Sequence, residues 1–508
     1  MATLRVRKHH CPTSRVFAQC RIRRMVFRMR MVLTHTKSGH VLSPGRYGKP
    51  LVYEQRRQPG RRASASTARS TRGRRIQRST GIDPRSRVLH LSRLLLQGMC
   101  MNPVFQHCKN PSWLDAAKAD RAAAAVENLG EWRMAVKEIH SWPEYESQPL
   151  HSLDSLAAQT NVAKIYYKDE SQRFGRGMGS FKALGAPYAV FCILADAVEK
   201  KTGTRPTSDD LRSGKYREIT ERVTVTVATD GNQGRGLAYA AKAFGCRCVV
   251  YIHEHVSPGR KEAMEALGAI VIRIQGEYEA SVGRSRSDAK NNGWHFVSST
   301  SWDDYASGSP RDVMNAYMVL VDEALQQLPD PKAITHIFVQ GGVGSIAAAI
   351  FLRFYQELDG AAPRMVMVEP NEADCLYQSA FNRTPTPSAG SLHTIMAGLA
   401  CREVSPAAWA LLDWLGSDFV TIPDSWAEDA MRALAAGNGD SPIVCGETAA
   451  GGTAVVLKAK ELPELREALG LDKQSQILLF GLEGATDPTI YEQIVGRSVA
   501  DVFDGVAR

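Results

Sequence analysis

The chain has 508 residues, is 44% hydrophobic and 23% charged, and carries a formal net charge of +10. That length suits two or three domains of roughly 100 to 200 residues, and the apolar content is that of a soluble globular protein. The longest apolar runs, such as Tyr188 to Val198, fall short of the ~18 to 20 residues that a membrane-spanning helix needs, which excludes a helical membrane protein.

The charge is divided unevenly. Residues 1–100 hold 24 Lys and Arg against only Glu54 and Asp83, a net of +22, whereas the other 408 residues hold 39 bases and 51 acids, a net of −12. The basic segment, with stretches such as RIRRMVFRMR and RRASASTARSTRGRR, is rich in Arg and Ser and shows no sustained apolar period, so it is expected to be a disordered extension. Three readings fit it: a mitochondrial-type transit segment, an arm for RNA or another anionic partner, or translated upstream sequence. In the last case ordinary composition resumes at Met99 and Met101. The cytoplasm is the expected compartment, with the mitochondrion as the alternative if the arm is a transit segment.

From about residue 155 strand-like and helix-like stretches alternate. VAKIYYKDES is followed by an apolar helix over 183–198, and VTVTVATD by the helix GNQGRGLAYAAKAFG. RCVVYIHEHV, the helix PGRKEAMEALG and AIVIRIQG come next. HFVSST, HIFVQGG, RMVMVEP and SQILLFGLEG are further strands, each followed by a glycine-rich or polar turn and an alanine-rich helix. Such alternation predicts α/β architecture with parallel sheets covered by helices, and ligands in such sheets gather at the carboxyl ends of strands. The ten cysteines are scattered. Cys246 and Cys248 form a CxC on a strand with no second pair at zinc-ligand spacing, and His253 and His255 form a lone HxH, so both pairs read as structural and no metal site is expected. With no disulfide framework, a reducing compartment is the default.

Three strand ends carry unusual residues. QGGVGSIAAAI (340–350) follows a strand and opens a helix, so the backbone of Gly341, Gly342, Val343 and Gly344, with the Ser345 hydroxyl and the positive helix end, can hold a phosphate. Its spacing is neither that of a P-loop nor GxGxxG, and a plain tight turn explains it equally well when taken alone. TDGNQGRG (229–236) sets Asp230, Asn232 and Gln233 where a ligand ring could be edged by hydrogen bonds. GLEGATDP (481–488) offers the neutral hydroxyl of Thr486. Lys182, in GSFKALGAPYAV, stands at the start of an apolar helix, where lost hydration and the positive helix end favour a neutral amine. An exposed helix-start lysine is the plain alternative, but a phosphate cradle on the same sheet edge favours Schiff-base chemistry with a phosphorylated aldehyde. Pyridoxal 5′-phosphate is the common cofactor of that kind.

SFKALGA, DGNQG and GGVGS together resemble the fold-type II pyridoxal phosphate enzymes, the tryptophan synthase β-like group. Within it, KDESQRFG (168–175), TDGNQGRGLAYAA (229–241), VEPNEADCLY (368–377), IMAGLACRE (395–403) and EGATDPTIY (483–491) are similar to diaminopropionate ammonia-lyase. The likeness runs from about residue 140 to 495. It implies a two-domain enzyme, with 101–185 and 325–508 as a large cofactor-binding domain and 186–324 as a smaller α/β domain. The implied reaction is β-elimination of 2,3-diaminopropionate to aminoacrylate, which hydrolyses to pyruvate and a second ammonia. The resemblance also implies roles: Lys182 as Schiff-base lysine and base for one enantiomer, Asp230 as base for the other, Asn232 on the ring hydroxyl, residues 341–345 on the phosphate and Thr486 on the ring nitrogen. Ser180, Asp230 and Ser299 face the substrate. Two stretches depart from the family pattern: SSTSW (298–302) puts Ser299 where the family has an aspartate, and GETAAGG (446–452) replaces GESGA, which bears on the second enantiomer and on the substrate. A serine or threonine dehydratase, or a lyase for another β-substituted amino acid, is therefore the nearest alternative. A nucleic-acid binder using the basic arm is a distant one. The expected partners are an amino acid substrate and a second copy of the chain, with neither nucleic acid nor membrane.

Overall fold

The computed structural model describes residues 104–505 apart from 176–177, 230, 302–304 and 306–307. The basic arm of residues 1–100 and Asp230 therefore lie outside the described residues. Among the described residues no helix is long and apolar enough to cross a membrane.

Eleven strands form two sheets. They are β1 (Gln106–Lys109), β2 (Leu150–Ser152), β3 (Lys164–Asp169), β4 (Thr224–Ala228), β5 (Arg247–His253), β6 (Ile270–Ile274), β7 (His295–Phe296), β8 (His336–Gln340), β9 (Arg364–Pro370), β10 (Asp418–Ile422) and β11 (Gln476–Gly481). The larger sheet has the order β1-β10-β9-β8-β11-β3-β2, the smaller the order β6-β5-β4-β7. The smaller sheet is parallel throughout. The larger one departs from the all-parallel expectation, because the short strands β1 and β2 pair antiparallel at its two edges. Every residue of the inner strands β8 and β10 is buried, as expected where helices cover both faces and the strand need not alternate.

Five helices bear on the site: α1 (Lys182–Thr202), α2 (Asn232–Phe244), α3 (Gly308–Gln327), α4 (Ser345–Glu357) and α5 (Gly451–Glu461). One apolar core collects α1, α2, α3 and α4. A second lies on the other face of the larger sheet, beneath α5. Missing side chains let α1 approach its neighbours closely. A Cβ on Gly185 would stand 2.7 Å from Tyr317 and 2.8 Å from Val313 of α3, and one on Gly236 of α2 would stand 3.0 Å from the Lys182 carbonyl oxygen. Lys182 is thus fixed by backbone packing on two sides rather than carried on a loop.

Candidate active site

A cleft of about 870 Å³ opens at the carboxyl ends of strands from both sheets. Its wall takes Thr229 from beyond β4, Ser298 to Thr300 from beyond β7, Gly342 to Ser345 from beyond β8, and Leu482 and Glu483 from beyond β11. Lys182 and Phe181, at the start of α1, join them. The lysine is half-buried, its Nζ 6.0 Å from the centroid of the Phe181 ring. Its backbone N–H donates to the Ser180 hydroxyl at 3.4 Å. The sequence reading placed Lys182 and the glycine turn on one ligand, and they line the same cleft.

The turn before α4 has the form an anion site requires. Gly344 sits at φ +98°, and a side chain there would also meet Leu412 at 2.7 Å. Residue 344 caps α4, whose first N–H groups have no partner within the helix. The Ser345 hydroxyl donates to the Ser299 carbonyl at 2.7 Å, joining the turns after β8 and β7. Gly341 differs from its neighbours. Its N–H is already bonded to the Val368 carbonyl at 2.8 Å, and a Cβ there would stand 2.5 Å from Leu376 and 2.7 Å from Met367. It makes room for packing, and the cradle narrows to Gly342, Val343, Gly344 and Ser345.

Asn232 lies in an adjoining hollow of about 270 Å³ that shares Lys182, Thr229 and Glu483 with the cleft. Its amide donates to the Glu483 carboxylate, which also accepts from the Thr448 backbone N–H at 3.3 Å. Backbone pairing of residues 179–181 with 482–484 brings these groups beside Lys182: Phe181 N–H donates to the Leu482 carbonyl and Gly484 N–H to the Gly179 carbonyl, each at 3.0 Å, and Ser180 bridges Glu483. Ser180 and Thr486 are not on the wall of the cleft. The Thr486 hydroxyl is nevertheless buried and without a hydrogen-bond partner among the described residues.

Sequence reasoning did not commit to Gln233, Tyr317, Gln340, Thr448 or Glu483, all on the wall. Both amide atoms of Gln233, the Tyr317 hydroxyl and the Gln340 carbonyl oxygen are buried without partners among the described residues. An unpaired buried polar atom costs about 1–3 kcal/mol, so their gathering around one cleft leaves groups that a polar ligand would satisfy. Of these, Gln233, Gln340, Thr448 and Glu483 fell inside stretches already singled out, without a role in the site being assigned to them, and Tyr317 alone lay outside every motif. Tyr317 reads from sequence as one more apolar-face residue of a buried helix.

The model of the pyridoxal-phosphate dependent enzyme family matches residues 142–478. Diaminopropionate ammonia-lyase of Salmonella typhimurium is 35% identical over 367 residues, covering 70% of this chain and 90% of that enzyme. The crystal structure of holo diaminopropionate ammonia lyase from Escherichia coli superposes with a TM-score of 0.65 at 30% identity, covering 77% of this chain and 96% of that one. The same E. coli enzyme in complex with D-serine gives a TM-score of 0.64 at 30% identity and the same coverage. The chain belongs to the diaminopropionate ammonia-lyase family of pyridoxal-phosphate-dependent enzymes. Its cofactor is pyridoxal 5′-phosphate, and the cleft fits that molecule: its wall holds a glycine turn at a helix start for an anion, the Lys182 amine and unpartnered polar groups.

This diaminopropionate ammonia-lyase family member carries an ionisable group behind the cleft that makes its stability depend on pH. Glu447, beside Thr448, is 2% exposed, and its Oε1 has no hydrogen-bond partner among the described residues. Burial and the nearby Glu483 carboxylate push its pKa up from 4.5 to about 7. A raised folded-state value means that the contribution to stability is full below the unfolded value and is lost as pH rises through about 7, for a total of about 3 kcal/mol. Glu447→Gln is expected to remove that loss. Urea unfolding of both proteins at pH 5 and pH 8 measures it, and an equal pH dependence in the two would refute the assignment.

Proposed function

We propose that the chain catalyses β-elimination of 2,3-diaminopropionate, giving pyruvate and two molecules of ammonia. The observation that carries this reading is the placement of Lys182 and the Gly342–Ser345 turn on one cleft, within a chain whose family is shown. When bound, the cofactor supplies the electron sink that accepts the electron pair left on the substrate α-carbon. The remaining roles fall to the protein. The backbone N–H groups of 342–345 hold the phosphate, joined by the Ser345 hydroxyl once it turns from the Ser299 carbonyl, with Gly341 behind them as a packing residue. Asn232 holds the ring hydroxyl, its amide oriented by Glu483, and the unpartnered Thr486 hydroxyl takes the ring nitrogen.

The Lys182 amine anchors the cofactor and takes the α-proton of one substrate enantiomer at its Nζ. Asp230 takes the proton of the other enantiomer and attracts the distal ammonium of the substrate. Ser180, whose hydroxyl accepts from the Lys182 N–H, and Ser299, on the cleft wall, meet the substrate. In this reading residues 101–185 with 325–508 form the cofactor-binding domain and 186–324 the smaller one, the active unit is a homodimer, and the enzyme works in the cytoplasm.

Elimination from serine is the second reading. It is favoured by Ser299, a neutral hydroxyl where the family has an acid, and by the E. coli enzyme having been solved with D-serine. Among the described residues Glu483 is the one carboxylate on the cleft wall, and with Asp230 it gives a cationic substrate an attraction that serine lacks. Purified protein offered diaminopropionate and serine separately, with pyruvate followed, is expected to turn over the diamino acid at least about tenfold faster in kcat/KM, the worth of one charge-assisted hydrogen bond of roughly 1.5 kcal/mol. A higher kcat/KM for serine would reverse the substrate assignment and leave the cofactor chemistry standing.

A further inference from the structure

The HxH pair of residues 253–255 is not alone in space. The fold carries two further ligand-type side chains to His255: Glu277, at the start of the helix Tyr278–Asn292, and His393, from the loop after the helix Cys375–Asn382 that follows β9. One ligand atom from each lies within 4.8 Å of the others. His255 Nε2 stands 3.5 Å from the Glu277 carboxylate, and the rings of His255 and His393 are 6.0 Å apart at 73°. All three are exposed. This corrects the sequence reading, in which the HxH lacked further ligands: Glu277 is 22 residues and His393 138 residues beyond His255, distances at which spacing patterns carry no signal.

We propose that His255, Glu277 and His393 bind a divalent transition-metal ion, of which zinc is the representative. Two imidazoles and one carboxylate suit zinc, cobalt or nickel and disfavour magnesium and calcium, which take all-oxygen sets. Metal–nitrogen bonds of about 2.0–2.1 Å draw the three atoms slightly inward, a movement that exposed side chains make by rotamer adjustment. Water fills the remaining positions.

The backbone under each ligand is held by bonds that do not involve the ligands themselves. Arg273 Nη1 donates to the carbonyls of His253, Glu254 and Val256 at 3.2, 2.7 and 2.8 Å, fixing the turn that presents His255. The Glu254 carboxylate accepts from Gly276 N–H at 3.0 Å, next to Glu277. On the other side, Ser391 N–H donates to the Glu372 carboxylate at 2.9 Å, Leu392 N–H to the Glu372 carbonyl at 3.0 Å and Ile395 N–H to Asp424 at 3.0 Å. Glu372 and Asp424 follow β9 and β10 of the larger sheet, whereas His255 and Glu277 belong to the smaller one. A bound ion therefore ties the smaller sheet to the loop that continues into Gly398, Leu399 and Cys401 on the cleft wall. The site is a clamp between the smaller sheet and the loop that leads to the cleft wall, separate from the cofactor chemistry.

The test uses the full chain loaded with its cofactor and stripped of metal. Zinc titrated calorimetrically into it is expected to bind with one equivalent more per chain than into His255→Ala/His393→Ala. Magnesium is expected to show no such difference. Because the basic arm has histidines of its own, the difference between the two proteins is the readout. The replaced residues are exposed, so the variant is expected to fold, and retention of its cofactor absorption checks this. Zinc is also expected to slow amide hydrogen exchange over 391–401 in the wild type and not in the variant. Equal zinc stoichiometry in the two proteins would overturn the site, and binding without protection of 391–401 would overturn the clamp.

Discussion

Lys182→Ala is expected to lower pyruvate formation by about 10³-fold or more and to remove the visible absorption of the protein-bound cofactor. The size follows from what the amine does. It takes the α-proton, a contribution typically of 10² to 10⁴, and it is the covalent anchor of the aldehyde, which no other side chain on the wall of the cleft can replace. The fold is expected to survive. Lys182 is only half-buried and begins α1 without acting as a side-chain cap, so its truncation leaves no cavity in the core and should change stability by no more than about 0.5 kcal/mol. Urea unfolding of the variant checks that point, so that inactivity cannot be laid to unfolding. Kinetics and spectrum together separate two roles. A variant that lost activity but kept the wild-type spectrum would show an amine other than Lys182 on the aldehyde. One that kept activity would remove Lys182 from the chemistry altogether.

What was legible in the sequence were the strand-end motifs. Gly342–Ser345, Asn232 and Lys182 sit in uninterrupted short patterns whose chemistry is local: a glycine turn opens a helix, an amide follows a strand, an amine starts an apolar helix. Eight strands were equally readable: β4, β8, β9 and β11 because burial on both faces writes a continuous apolar stretch, and β3, β5, β6 and β7 because a β-branched or aromatic run is bounded by turn residues. β1 and β2, QHCK and LHS, are short and polar and carry no apolar run, and they are the strands that make the sheet mixed. β10, DFVTI, is fully buried but follows directly on the apolar helix Pro406–Leu415 and reads as its continuation. The residues missed at the site share another cause. Tyr317 reaches the cleft through the packing of α3 on α1, and Thr448 through the approach of residues 446–450 to the end of β11, where Gly446 N–H donates to the Glu483 carbonyl at 3.1 Å. Neither contact leaves a trace in local spacing.

The KDESQRFG stretch carries the largest expected effect on stability. Lys168, Glu170 and Arg173 have fully buried side chains, and all are drawn to Glu323 of α3 or to each other. Glu323 is the hub. It accepts from Lys168 Nζ at 2.6 Å, from Arg173 at 2.9 Å through both terminal nitrogens, from the Tyr145 hydroxyl at 3.1 Å and from Gln148 N–H at 3.0 Å. Burial opposes its charge, yet Arg173 and Lys168 hold its carboxyl below the ordinary value. The two positive and two negative charges balance only while all four are present. Glu323→Gln would leave Lys168 and Arg173 buried against Glu170 alone, and removing one partner of a buried pair costs about 3–5 kcal/mol. The exposed pair Arg205 and Asp196, 2.6 Å apart, is the control, since exposed pairs contribute about 0–1 kcal/mol; Asp196→Asn should fall in that range. The effect should also reach the active site. The cluster ties the segment leading into Lys182 to α3, the helix whose Tyr317 and Val313 face Gly185 of α1. Glu323→Gln is therefore expected to weaken cofactor affinity in the fraction that remains folded, measured by fluorescence titration alongside urea unfolding. A cost below about 1 kcal/mol would mean that the cluster's charges are solvated or neutralised in a way that its buried geometry does not allow.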